Sequence, residues 1–323
     1  MRSVIGLAVS GLAVACVAIA IVVGGRVAGP AAGPGARERA TIALTATGAS
    51  YLSPTRLTEV TGASITVTDT IRGAAEAGFP AIAVWHEVSS PYDTTNRQPL
   101  EPMSRTFAFD RATAELVDCC DQNINGNAAT PQRGIAGWVF PRGTRKRTYQ
   151  VFDPAAGEPE PFAYAGTDVV GGIRAYRFEE SVSAAPAGFS LQSRTEPQRY
   201  SMHRAYWVDP VTGALLKISE DEDLYLTRPF SGATVTHVFE AHLTTTPASV
   251  ASLVRQDTRA RAAGTAAGHD RLLFLALAGA LALAAEILSA FGPAGRAVPR
   301  PARGAGQARR GAGAWSPLPE ADK

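Results

Sequence analysis

Two adjacent cysteines, Cys119 and Cys120, are the most chemically distinctive residues of this chain; the third, Cys16, lies in an apolar run. Outside a reducing cytosol, thiols oxidise. Neighbouring Cα atoms across a trans peptide lie about 3.8 Å apart, below the usual disulfide range of about 4.4–6.8 Å. The pair is expected as a vicinal disulfide that stiffens its turn, with two intermolecular bonds or a free pair as the alternatives. Neither a Cys-x-x-Cys spacing nor a thiol-activating helix accompanies it, so redox catalysis is not indicated.

The remaining chemistry-bearing residues form no catalytic constellation. His86-Glu87 begins like a zinc-protease helix, but Ser90 stands where the second histidine is needed, in a stretch that reads as strand. His237 and His242 are five residues apart, which a regular strand sends to opposite faces, so they are not expected to share a metal. Glu220-Asp-Glu-Asp223 lacks the spacing of a calcium loop and reads as a solvated hairpin edge. No Gly-x-Ser-x-Gly elbow or phosphate-cradling glycine loop is present. No catalytic, cofactor or metal residues are assigned, and a non-enzymatic role is expected. One cluster suits an anionic ligand: Arg142, Arg145, Lys146 and Arg147, beside the apolar Trp138-Val-Phe-Pro141. It could grip lipid headgroups or phosphorylated glycans, with a solvated turn as the plain alternative.

These residues must be positioned by what lies between two long apolar runs, Val4–Gly25 and Leu272–Phe291. Twenty helical residues at about 1.5 Å each match a hydrocarbon core of roughly 30 Å. Both runs therefore read as transmembrane helices. Arg296, Arg300, Arg303, Arg309, Arg310 and Lys323 follow the second run, and Arg2 precedes the first. Such clustering marks both termini as cytoplasmic and the middle as exported to the outer face of the cell membrane. A cleaved signal peptide is the rival reading of the first run; it leaves the domain on the same side. Glu286 sits inside the second run, an intramembrane carboxylate that is either functional or placed near the headgroups.

The organisation expected is a helix over 1–25, a Gly/Pro/Arg tether over 26–40, β modules over 41–155 and 156–257, a second tether over 258–270, a helix over 271–291 and a disordered cytoplasmic tail over 292–323. The fold class is mainly β and antiparallel, with two related curved-sheet modules between transmembrane α-helices. Period-two alternation in Ile65–Ile71 and Val235–Leu243 supports the strands, and places Val235, His237, Phe239, Ala241 and Leu243 on one face. The modules rest on a repeat. Phe107–Leu116 and Tyr206–Leu215 both read aromatic-x-apolar-Asp-x-x-Thr-x-x-Leu at an offset of 99, a strand, an Asp-initiated turn and a second strand. Ala83–Glu87 and Ala175–Glu179 form a weaker pair at an offset of 92.

Several stretches taken in order carry a resemblance: Asp118-Cys-Cys120, Gly137-Trp-Val-Phe-Pro141 with Thr148-Tyr-Gln-Val-Phe-Asp153, Ala163-Tyr-x-Gly-Thr through Tyr176, and Tyr206-Trp-Val-Asp-x-x-Thr-Gly213. With these the chain resembles the actinobacterial porin-A-like envelope proteins over most of its length. That resemblance implies an envelope role and, by the family name, a pore; it supplies no catalytic residues. The leading expectation is a membrane-anchored protein that binds or presents an amphiphilic envelope component such as a lipid, glycolipid or lipoglycan. A channel is the alternative, and an envelope enzyme of unknown chemistry the third. Membrane lipid or glycolipid and envelope-assembly proteins are the partners expected, and nucleic acid is not.

Overall fold

The computed structural model describes residues 39–74, 81–187, 197–228, 231–232 and 234–290; the side chains of residue 235 and of much of 265–290 fall outside that description. The first apolar run, residues 26–38 of the expected tether and the tail over 292–323 lie outside it too, while Arg39 and Ala40, expected in the tether, open the first strand. Twelve strands follow in order: β1 (Arg39–Leu52), β2 (Glu59–Gly73), β3 (Ile82–Asp93), β4 (Gln98–Pro99), β5 (Met103–Asp110), β6 (Asn123–Ile124), β7 (Tyr149–Asp153), β8 (Glu158–Val170), β9 (Ile173–Pro186), β10 (Gln198–Val208), β11 (Leu215–Thr227) and β12 (Thr234–Thr245). One helix, α1 (Pro247–Ala290), closes the described chain.

Alternation makes the strands. In β2 the residues Ala63, Ile65, Val67, Asp69 and Ile71 are buried while the alternate residues between them are partly open, the pattern of a sheet with one face in the core. All pairings between named strands are antiparallel, and the sheet runs β6-β5-β3-β2-β1-β12-β11-β10-β9-β8-β7, with β4 on β3. It curls into a half-barrel. Its end strands are only two and five residues long, which leaves little edge for another chain to pair with.

First and last strands meet at the centre, with Leu44 opposite Thr245 and Tyr51 opposite Phe239. The two halves of the chain thus share one sheet. The boundary expected at 155–156 falls within the turn of the hydrogen-bonded β7–β8 hairpin.

The connection from β5 to β7 turns back into the concave face. Its Ile135, Ala136, Val139 and Phe140 are buried with Trp85, Phe107, Phe178 and Tyr206 in the main core. Phe140 stacks on Phe178 with ring centroids 5.2 Å apart and meets Tyr149 edge-on at 5.3 Å. The connection thus fills part of the core with the chain's own side chains.

Helix α1 begins where Thr246 accepts the Ser249 amide on its hydroxyl at 3.2 Å and Pro247 occupies the first turn, a standard cap. Val250 and Val254 pack on Val170, Ala175 and Leu216 against the outer face of the sheet. The stretch 258–270, expected as a tether, continues this helix. Alanines at 260, 262, 263, 266 and 267 outweigh the glycines at 264 and 268. Among the described residues no helix is long and apolar enough to cross a membrane. The second apolar run falls largely on side chains outside that description, although α1 carries its backbone as far as Ala290.

Candidate functional site: two buried arginines in the curved sheet

The repeated segments place an arginine at the same point of each half. Arg105 and Arg204 stand two residues before the aromatics Phe107 and Tyr206 and keep their offset of 99. In the first half Trp85 faces Phe107 and Glu87 faces Arg105 across β3 and β5. In the second, Phe178 faces Tyr206 and Glu180 faces Arg204 across β9 and β10. The equivalent of Glu87 is therefore Glu180, at an offset of 93 rather than 92. The Glu179-Glu180 doublet made the letters ambiguous, and the register resolves them.

The two arginines are satisfied differently. Arg204 donates from Nε to Glu180 at 2.9 Å, and from Nη2 to Glu180 at 3.1 Å and Asp153 at 2.5 Å. Burial opposes its charge, but Asp153, Glu180 and their neighbours outweigh that and hold its pKa well above the usual value. Arg105 donates from Nε to Gln132 at 2.5 Å and lies between the rings of Phe107 and Phe152, 4.5 and 4.8 Å from their centroids. Its Nη1 is 3.7 Å from Glu87 Oε2, too long for a hydrogen bond. Burial pulls Arg105 down, with Glu87 acting against it. Among the described residues Arg105 Nη2, Glu87 Oε2 and Trp85 Nε1 are buried without a hydrogen-bond partner.

Carboxyl groups extend the row. Burial, then the charge of Glu87, pushes Asp69 up to about 8. Burial, countered by Arg204, leaves Glu180 at about 7. On β11, Glu220 lies opposite Arg204 and Glu222 opposite Met202. Both are half-exposed but hemmed in by the curled sheet; Glu220 is raised by burial, and Glu222 reaches about 8 through burial and the charge of Glu220. Near neutral pH this interior therefore holds protonated as well as ionised carboxyls.

The other candidate residues lie apart from it. Cys119 and Cys120 are joined, Cα atoms 3.8 Å apart, with Cys120 and Asp121 at φ +65° and +58°. Their loop leads through Asn123 to Gln132, which donates to Thr106 O at 2.9 Å while it accepts from Arg105. His86 is exposed on β3, its Nδ1 2.9 Å from the Thr106 hydroxyl.

A bulge corrects the reading of β12. Leu224 faces Phe239 but Tyr225 faces His237, so Val238 is the extra residue. His237 therefore leaves the face of Phe239, Ala241 and Leu243, and shares the outer face with His242. Each histidine takes its own acid: Asp223 lies 2.7 Å from His237 Nδ1, and Asp221 bonds His242 Nδ1. Glu220-Asp-Glu-Asp223 is likewise mid-strand rather than a hairpin edge, with its glutamates inward and its aspartates outward. Among the described residues no group of histidines, cysteines and carboxylates could hold a metal ion.

Trp138 packs against the core; burial raises the Glu87 carboxyl, with the charge of Arg105 and then the indole of Trp138 acting against it. Arg142, Arg145, Lys146 and Arg147 are exposed on the loop that follows. Glu286 belongs to the last turns of α1, and its side chain lies outside the described residues.

A model of the family described as Porin PorA matches residues 5–288. This chain belongs to the PorA family. A curated relative, Porin PorA of Corynebacterium resistens, is 32% identical over 93 residues, which cover 28% of this chain and 22% of that protein. In this PorA-family chain the outer face of the sheet presents Thr45, Arg72, His86, His203, Asp221 and His242, all exposed. Lipid-facing strands of a membrane barrel need an apolar band about 25 Å tall. Among the described residues these polar and charged groups interrupt such a band, although Val88 is also exposed there.

Proposed function

We propose that this protein is a channel-forming protein of the cell envelope whose β half-barrel stands outside the bilayer. The observation that carries this reading is the family match, which spans both apolar runs as well as the sheet. Because the outer face of the sheet is polar, the conduit is assigned to membrane helices of several assembled copies. The apolar end of α1 is one wall; Leu275, Leu277 and Leu283 are each more than half exposed there and suit lipid or helix contact. Both termini are cytoplasmic, the half-barrel is extracytoplasmic, and no enzymatic step is required of it. The sheet is read as two related modules, supported by the matching Trp85–Phe107 and Phe178–Tyr206 pairs with their Glu–Arg neighbours.

Planar-bilayer recording of the purified full chain tests the channel. Stepwise conductance is expected; a silent bilayer with incorporation verified by flotation removes the reading. The second reading, presentation of a lipid, glycolipid or lipoglycan to envelope-assembly proteins, draws on the curl of the sheet. It predicts that organic extraction of the purified protein releases a stoichiometric amphiphile, and lipid-free protein counts against it.

A further inference from the structure

Three parts of the chain converge at one end of the half-barrel. The loop after Val139 lies along the β10–β11 turn: the Phe140 amide donates to Gly213 O at 2.8 Å and the Gly143 amide to Val211 O at 3.3 Å. Gly213 has φ +78°, and a Cβ there would meet Phe140 O at 2.0 Å, so glycine is required for the contact. Helix α1 reaches the same turn. Arg261 Nε donates to Asp209 at 2.7 Å and to Asp257 at 3.1 Å. One turn further on, a Cβ on Gly264 would lie 3.4 Å from Arg142 Nη2.

This end carries uncompensated positive charge. Arg142, Arg145, Lys146 and Arg147 are exposed and make no ion pair among the described residues. Lys146 Nζ rides 5.2 and 5.4 Å above the rings of Tyr164 and Tyr176, and Arg147 lies 4.8 Å from that of Tyr149. The nearby carboxylates are engaged elsewhere. Asp209 and Asp257 hold Arg261, while Asp168 lies 3.2 Å from Arg177 Nε and accepts the Trp207 indole N–H at 2.7 Å. Val211, whose carbonyl accepts the Gly143 amide, is 55% exposed, and Val169, near the end of β8, is 73% exposed.

The position of this end follows from the helix. From Gly264 to Leu272, where the apolar run begins, are eight residues of continuous helix, about 12 Å. Headgroup layers flank the hydrocarbon by roughly 5–8 Å on each side. An arginine at the level of Gly264 thus hangs just above the headgroup phosphates, within reach of its own side chain.

We propose that Arg142, Arg145, Lys146 and Arg147, flanked by Val169 and Val211, form a docking surface for the phosphates of anionic membrane lipids. The cations bind headgroups, the valines enter the interface, and the half-barrel is held at a fixed height over the bilayer. The proposal rests on the reading that the apolar part of α1 spans the membrane.

Native mass spectrometry of the detergent-solubilised full chain tests it, with phosphatidylglycerol and phosphatidylcholine titrated in equal amounts. A basic side chain at an anionic surface contributes about a fivefold preference. The wild type is expected to retain phosphatidylglycerol about tenfold or more over phosphatidylcholine. Arg142→Gln/Arg145→Gln/Arg147→Gln should bring the two near parity, and the matching triple lysine variant should keep the preference. Carbonate extraction from phosphatidylcholine vesicles reads the anchor separately. Equal retention of both lipids by a wild type that resists extraction overturns the docking surface and leaves the anchor standing. Extraction of the wild type from those vesicles overturns both.

Discussion

Replacing Arg204 by methionine removes the cation that joins β7, β9 and β10. Its partners Glu180 and Asp153 have side chains only 1% exposed, so the variant keeps two buried carboxyls without their counter-charge. Breaking a buried ion pair from one side costs about 3–5 kcal/mol, mostly through the charge left behind. Arg204 makes three hydrogen bonds to two acids, so the upper end, about 4–5 kcal/mol, is expected at pH 8. At pH 5 the loss should fall to roughly half, because the orphaned carboxyls take up protons and shed the charge that makes them costly. Urea unfolding of the full chain in detergent, followed by tryptophan fluorescence, measures both values. Adding Glu180→Gln and Asp153→Asn to the variant should recover most of the stability at pH 8. A loss below about 1 kcal/mol at both pH values, the level of a solvated surface pair, would refute the buried bridge.

Asp69→Asn tests the protonated part of the row. Burial lifts Asp69 from its ordinary 3.8 to about 8, so between those values the folded protein holds a proton that the unfolded chain has released. Stability is full below that window and falls as pH rises through it; the variant should flatten the fall and be more stable at pH 8.5 by roughly 2–4 kcal/mol in urea titrations. Gly213→Ala forces a side chain into Phe140 O at a left-handed φ, and a melting-temperature drop equivalent to about 2 kcal/mol or more is expected. Arg261→Met releases the clasp on Asp209 and Asp257. Trypsin should then cut at Arg255 or Arg259 at least several-fold faster, with cleavage elsewhere in the half-barrel unchanged.

The strands were legible because Ile65–Ile71 alternates cleanly, and that alternation survives as the buried face of β2. The offset of 99 was legible for the same reason: it repeats an aromatic, an aspartate and a leucine, which are set by one strand and one turn. The arginines two residues upstream carry no such signal, because a charge inside a strand reads as solvent-facing until its partner on another strand is known. Alternation alone puts His237 on the inner face, because a bulge at Val238 leaves no mark in the sequence pattern. The pairing of β1 with β12 joins residues some two hundred positions apart, and no local pattern records it. Over 258–270 two glycines among several alanines suggest a tether, but alanine is the strongest helix former and carries α1 through.

The central claim is that the sheet stands in water while α1 carries the chain into lipid. Cysteine accessibility in reconstituted vesicles tests it most directly, using a Cys16→Ala background in which Cys119 and Cys120 remain bonded to each other. Thr45→Cys, exposed on the outer face of β1, should react fully with a membrane-impermeant maleimide, and Leu283→Cys on α1 should not until detergent is added. Protection of position 45 in intact, correctly oriented vesicles, or full reaction at position 283, would contradict the account.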